Sequence, residues 1–347
     1  MKDATNERKV EHIDIIRRDA DVDRQKCYFD EIRLKHRALP ELDLAKIDTS
    51  TAFLGRKLSF PLLISGMTGG DHDLVRTINV NLAKAAEATG VAMGVGSQRV
   101  MFAKPSARKS FELRAFAPNA LLFANLGAVQ LNYGLTLDHC KDAVAVLQAD
   151  ALCLHLNPLQ EAMQPEGNTN FSGLAEKIGH VAKHLGKPVI AKEIGSGLSV
   201  EDAELLVKQG VKILDVAGSG GTSWSRVEHH RRGADPADEI GMAFQDWGIP
   251  TPRAIADLAP LRDRVTLIAS GGIRSGIDMA KALALGASLC GLASPFLQPA
   301  MESHEAVIAA IERLRKEFRT AMFLSGVAGV NRLEGNFSLI ADGGRGV

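Results

Sequence analysis

Ala151-Leu-Cys-Leu-His-Leu-Asn-Pro-Leu-Gln-Glu161 joins a short apolar run to a dense polar cluster. Residues 151–154 have the length and composition of a buried strand, and Pro158 forbids its smooth continuation. His155, Asn157, Gln160 and Glu161 then arrive within seven residues. Parallel α/β folds keep reactive groups just past the C-terminal ends of buried strands, so chemistry is expected here. A polar strand-to-helix loop with an incidental histidine gives the same local pattern, because loops are polar in any case. The rest of the chain decides.

Apolar runs of the same kind recur at 60–66, 91–96, 120–126, 188–194, 213–218, 265–270 and 289–293. Between them lie segments with helical spacing. Leu174, Ile178, Val181 and Leu185 step along one face and end at Gly186. Ala280, Leu283 and Ala284 precede Gly286, and Ile308, Ile311, Leu314 and Phe318 form a third stripe. Eight strand–helix units in roughly 260 residues have the count and size of an α/β protein built as a (β/α)8 TIM barrel. A doubly wound open sheet shares the local pattern, but the count of eight favours the barrel. Residues 1–58 are polar and irregular by comparison and read as an N-terminal arm with a short helix, packed on a barrel of residues 59–347 and contributing to its site. After the sixth strand, Ser219 to Pro252 is too long for an ordinary connection and reads as a mobile lid; a solvated surface excursion would have the same charge run.

With 41 Lys+Arg against 41 Asp+Glu in 347 residues, no global charge draws the chain to nucleic acid or a membrane surface. Any anion site must be local. Cys27, Cys140, Cys153 and Cys290 lie far apart without zinc-type spacing and read as small buried thiols. The charged N-terminus lacks the apolar core of a signal peptide, and no run approaches the roughly 18 apolar residues of a membrane helix. A soluble, reducing, cytoplasmic setting is expected.

Ser270-Gly-Gly-Ile-Arg-Ser-Gly276 closes the seventh strand and opens a helix. Glycines let backbone N–H groups approach an anion and the helix N-terminus adds its dipole, so a phosphate site is expected, with Gly291-Leu-Ala-Ser294 as its other half. Small or polar residues also end the other strands, at 65–70, 96–99, 125–127, 192–197 and 218–224. Together they describe a pocket for a flat cofactor with a phosphate tail. Lys192, in an otherwise apolar strand, needs an anionic partner. Three readings of it stand: a contact to a reduced flavin, a Schiff-base lysine, or an ion pair with Glu193 or Asp215.

These residues occur in an order that resembles a known family. Arg8-Lys9-x-Glu11-His12-Ile13, Met67-Thr68-Gly69-Gly70, Gly96-Ser97-Gln98-Arg99, Asn125-Leu126-Gly127, His155-Leu156-Asn157-x-x-Gln160-Glu161, Lys192-Glu193-x-Gly195-x-Gly197, Ala217-Gly218-x-Gly220-Gly221-Thr222-x-Trp224 and Ser270-Gly271-Gly272-Ile273-Arg274 closely resemble the type 2, FMN-dependent isopentenyl-diphosphate isomerases. The resemblance spans residue 8 to about 330, a length that suits one large barrel domain.

It implies interconversion of isopentenyl and dimethylallyl diphosphate in isoprenoid biosynthesis, with FMN, Mg²⁺ and NADPH as reductant, in a homo-tetramer or octamer. It implies that Met67, Thr68, Gly69, Ser97, Asn125, Lys192 and Thr222 hold FMN. Its phosphate would lie on Gly272, Ile273, Arg274, Ala293 and Ser294. The substrate would meet Arg8, Lys9, Ser97, Gln98, Arg99 and His155, with Asn157 nearby. Gln160 would lie by the reacting carbons and Glu161 would ligate Mg²⁺, making His155, Asn157, Gln160 and Glu161 the catalytic set.

An FMN-dependent 2-hydroxy-acid oxidase on the same barrel is the nearest rival, but residues 231–303 hold no histidine to serve as its base. A barrel dehydrogenase with a loop cysteine nucleophile is disfavoured because residues 218–224 contain no cysteine. A flavin-binding regulatory protein without turnover would not need the polar set at 155–161.

Overall fold

The computed structural model describes residues 4–67, 69–231 and 239–341, the side chains of residues 4–10 excepted. The arm opens with the helix Ala4–Arg18 and reaches an antiparallel hairpin, β1 (Thr51–Phe53) and β2 (Arg56–Leu58). Eight parallel strands follow. They are β3 (Leu62–Ile64), β4 (Ala92–Gly94), β5 (Leu122–Gly127), β6 (Ala151–Leu156), β7 (Val189–Glu193), β8 (Ile213–Asp215), β9 (Thr266–Ser270) and β10 (Leu289–Leu292). They pair in chain order, and β10 closes on β3 through Cys290–Leu62 and Leu292–Ile64. Each apolar run read from the sequence overlaps one of these strands, and closure distinguishes the barrel from the open sheet.

The two-residue period of a strand sorts the interior into layers. The lower layer is apolar: Leu63, Ala92, Phe123, Cys153, Ile190, Ile213, Ile268 and Leu289 form one buried cluster. The hairpin was not anticipated from the sequence; it plugs this end, with Phe53 tilted on Phe123 at 6.0 Å between ring centroids. One period further along each strand stand Ser65, Gly94, Asn125, His155, Lys192, Asp215, Ser270 and Gly291. The upper layer is therefore polar or small, at the C-terminal ends where the site was expected.

The arm is not a loose appendage, since Ile13, Val22, Phe29, Ile32 and Ile47 are all buried. The helices Leu174–His184, Gly276–Ala284 and His304–Leu324 carry the predicted stripes, with Leu185 just past the first helix and Ile308 only half-buried in the third. All four cysteines are free and buried. No helix among the described residues is long and apolar enough to cross a membrane. Gly276–Ala284 lies so close to His304–Leu324 that a Cβ on Gly276 would stand 2.2 Å from Leu314 O and 2.3 Å from Phe318 N. Gly276→Ala must push the helices apart and is expected to cost about 1–3 kcal/mol. Ile277→Ala on the exposed side of the same turn should stay within about 0.5 kcal/mol. Thermal unfolding of the two variants checks this.

Candidate active site

Strand register sets Gly127, His155, Lys192 and Asp215 side by side across β5 to β8. Lys192 Nζ lies 3.1 Å from Asp215 Oδ2 and donates to Ser270 Oγ at 3.1 Å, while Ser270 Oγ donates to Asp215 Oδ1 at 2.6 Å. Of the partners considered for Lys192, the structure supplies Asp215. Glu193 instead turns away: its Oε2 accepts the backbone N–H groups of Ile194, Gly195, Ser196 and Gly197 at 2.5–3.1 Å. Burial pushes its pKa up to about 7 against the pull of these donors. His155 Nδ1 lies 2.7 Å from Asn125 Oδ1, and Gly127 leaves room for the ring, since a Cβ there would stand 3.2 Å from Nε2. Cys153, one layer below, is inert: burial pushes its thiol up to about 12.

Beyond His155 the backbone turns into a one-and-a-half-turn helix, Pro158–Met163, with Pro158 at its first position. One turn carries the rest of the polar cluster. Asn157 Nδ2 donates to Gln160 Oε1 at 3.1 Å and to Glu161 Oε1 at 2.9 Å, and Glu161 Oε2 accepts from Asn168 N–H at 2.6 Å. Gln160 Nε2 then donates to Glu228 Oε1 at 2.8 Å.

Glu228 is the residue that sequence reasoning missed. It belongs to the helix Trp224–Arg231 of the predicted lid, yet it is fully buried. Its carboxylate also takes Gln164 Nε2 at 2.7 Å, Arg231 Nε at 2.6 Å and His12 Nε2 of the arm at 3.1 Å. Burial opposes its ionisation. The hydrogen bond and charge of His12, with Arg231 and Gln160, outweigh that and hold the carboxyl well below the usual range. In the sequence it stands in a charge run from Arg226 to Arg232, which reads as a solvated face; Trp224 and Val227 were the faint signs that one side of that run is buried. The arm and this helix are joined again where Asp19 accepts from Arg226 at 2.6 Å and contacts His230 Nε2 at 2.7 Å.

A cavity with an empty volume of about 1440 Å³, mouth included, opens over the upper layer. Met67, Ser97, Asn125, His155, Gln160, Lys192 and Thr222 line it. Gly272, Ile273, Arg274, Ala293 and Ser294 line its far end. There Gly271 and Gly272 have φ of +94° and +77° and pack so tightly on residues 218–220 that a Cβ would stand 2.1 Å from Gly218 O and 2.6 Å from Gly220 O. Only glycine fits. One expectation is corrected. The N-terminus of Gly276–Ala284 does not point its N–H groups at the cavity: Asp278 accepts from Arg274 and Ser275 N–H, and Glu317 accepts from Gly276 N–H. The helix beginning at Ser294 is the one that opens on this end.

Other expected residues stand further back. Gln98 is fully buried, donating to Ala143 O at 2.9 Å and accepting from Asn125 N–H at 3.0 Å, so it braces β5 and does not line the cavity. Gly69 packs against Ser97, and Arg99 precedes the short helix Val100–Ala103. Asn157 and Glu161 lie buried behind Gln160. Arg8 and Lys9 belong to the arm helix, with side chains outside the described residues, and Thr68 lies outside them altogether.

Two orphaned polar atoms bear on the fit of a cofactor and a metal. Ser65 Oγ, buried and lining the cavity, has no hydrogen-bond partner among the described residues, and neither has Oδ1 of Asn157, whose Nδ2 faces the Glu161 carboxylate. Buried polar atoms are ordinarily satisfied, so each fits a group that binds there. The described residues hold no cluster of three His, Cys, Asp or Glu side chains for an all-protein metal cage. A lone carboxylate, Glu161, fits a hard cation that takes its other ligands from phosphate and water.

A sequence profile described as FMN-dependent dehydrogenase matches residues 6–110 and 157–339. Solved structures of similar fold include a flavocytochrome b2 variant with pyruvate bound (TM-score 0.67, 21% identity, 92% of this chain and 78% of that one). A mandelate oxidase with (S)-2-phenylpropionate is another (0.62, 21%, 89% and 86%). By fold and profile, the chain is a barrel of the FMN-dependent dehydrogenase class. The isopentenyl-diphosphate delta-isomerases of Hydrogenovibrio crunogenus and Paracoccus zeaxanthinifaciens are 54% and 55% identical to it, over 96% of this chain and 97% and 96% of theirs. That of Nostoc sp. is 47% identical over 96% of each. Within its class the chain belongs to the isopentenyl-diphosphate delta-isomerase family.

The state of Glu228 can be read by acid titration. Because its folded pKa is depressed, its contribution is fully present above the ordinary glutamate value and is lost as pH falls below it. With Trp247→Phe leaving Trp224 as the sole tryptophan, emission should be flat down to about pH 5 and change only below about 4.3. Glu228→Gln should show the altered emission at neutral pH. A transition that Glu228→Gln leaves in place would contradict the assignment, because it would belong to another group such as His12, whose ring centroid stands 5.3 Å from that of Trp224.

Proposed function

We propose that this protein interconverts isopentenyl and dimethylallyl diphosphate, using FMN in its reduced form, Mg²⁺ and NADPH as the reductant that prepares the cofactor. The observation that carries the reading is Gln160, a neutral amide at the cavity wall held on both sides, by Asn157 through Oε1 and by the buried Glu228 carboxylate through Nε2. An allylic shift needs a proton added at one carbon and removed at another, with no net redox change. When bound, reduced FMN supplies that proton exchange at the alkene.

The chain's own residues would do the rest. Gln160 is oriented so that its amide cannot rotate without losing both partners, and it would position the alkene, with Glu228 holding the amide in place. Lys192, neutralised by Asp215, would present a hydrogen-bond donor to the flavin without an excess charge. Ser65 and Asn125 would bind its polar edge, and Arg274 with Ser294 its phosphate. The substrate diphosphate would be met by Arg8, Lys9, Arg99 and His155, with Mg²⁺ held by Glu161 beside Asn157. Ile13 and Ile16 of the arm, with Trp224 of the lid helix, line the cavity and would keep water from a cationic intermediate of the substrate.

Protein reconstituted with FMN, Mg²⁺ and NADPH under anaerobic conditions is expected to convert isopentenyl diphosphate. Gln160→Asn, which shortens the amide by one methylene, should lower kcat about 100-fold. Glu161→Gln should raise the Mg²⁺ needed for half-maximal rate about tenfold. Full turnover by Gln160→Asn would remove that residue from the mechanism.

A further inference from the structure

The far end of the cavity, where a cofactor's phosphate is expected, already faces a carboxylate of this chain. Asp23, which lines the cavity, stands with Oδ2 3.1 Å from Ser294 Oγ and Oδ1 3.4 Å from Arg274 Nη2. The same arginine nitrogen also donates to the carbonyls of Arg24 and Gly220. The arm is strapped down at this point. Asp23 pairs with Thr222 in an isolated β-bridge, Arg24 N–H donates to Gly221 O at 3.1 Å, and Ser223 N–H donates to Val22 O at 2.7 Å. Arg24 anchors the strap from below by donating to Gly195 O at 3.0 Å and Gln245 O at 2.6 Å.

A carboxylate and a phosphate monoester ask for the same donors, and two anions within about 4–6 Å disfavour each other. Asp23 and a bound phosphate therefore compete for Arg274 and Ser294. We infer that Asp23 is a built-in competitor for the phosphate of FMN, released from Arg274 and Ser294 when the cofactor binds. The inference rests on the FMN reading and adds a residue that works against affinity. Being fixed to the arm, this carboxylate couples cofactor loading to the segment that carries His12 and, beyond it, Arg8 and Lys9. Because coupling is reciprocal, docking of the arm at Asp23 also weakens the phosphate grip.

The test is titration of flavin-free full-length protein with FMN and, separately, with riboflavin, which has the ring system without the phosphate, followed by quenching of flavin fluorescence. Asp23→Asn keeps the side chain's shape and removes its charge. It is expected to lower the Kd for FMN about fivefold, the gain of losing one partly exposed competing ion pair, and to leave that for riboflavin unchanged. Asp23→Ala should move FMN in the same sense. Tighter FMN with unchanged riboflavin in both variants supports the inference. Equal or weaker FMN binding in both overturns it and makes Asp23 a strut that positions Arg274. A wild type that binds neither flavin overturns the cofactor reading and this inference with it.

Discussion

A lysine inside a barrel is tolerable only beside a carboxylate, and the pairing of Lys192 with Asp215 is the constraint on which the site depends. Strand periodicity sends every second residue inward, so the apolar layer of Cys153, Ile190 and Ile213 is followed by His155, Lys192 and Asp215. Parallel register puts Lys192 opposite Asp215, and Ser270 closes the triangle from β9. Removing either charge would leave the other buried and uncompensated, which costs several kcal/mol, of order 3–5. The pair thus fixes both the register of three strands and a polar floor under the cavity.

Above that floor, closure depends on one carboxylate. Glu228 gathers donors from three segments distant in sequence: His12 of the arm, Gln160 and Gln164 after β6, and Arg231 of its own helix. An ionised, fully buried carboxylate must be saturated with donors, so the arm, the 155–164 segment and the helix Trp224–Arg231 are energetically one unit. The side chain expected next to the substrate, Gln160, is oriented by the same contact. Positioning and enclosure are not separate devices here.

The barrel was legible because its signals are local: eight apolar runs, the three helical stripes and glycine-rich strand ends all follow from periodicity and turn chemistry. Much of the site was legible for the same reason, since His155, Gln160, Lys192 and Arg274 stand at strand ends. What escaped was tertiary. Glu228 and His12 look like surface charges until two remote segments fold over them, and the plug formed by residues 51–58 is too short to show a period. Gln98 failed in the opposite sense: a polar residue at a strand end can be spent on the backbone of its neighbours. Asp278 and Glu317 likewise seal a helix end whose glycine-rich approach reads as an anion site, because a carboxylate supplied from within is invisible to a motif.

Isomerisation consumes no electrons over a turnover, whereas a dehydrogenase must. Holoprotein reduced anaerobically with NADPH should be given a large excess of isopentenyl diphosphate with Mg²⁺, while dimethylallyl diphosphate and NADPH are followed together. Many molecules of isomer formed for each NADPH oxidised, with the flavin still reduced at the end, is the result this site predicts. One NADPH consumed per turnover, or a reduced flavin that yields no isomer, would make the barrel an oxidoreductase of another kind and contradict the reading of Gln160 and Glu228.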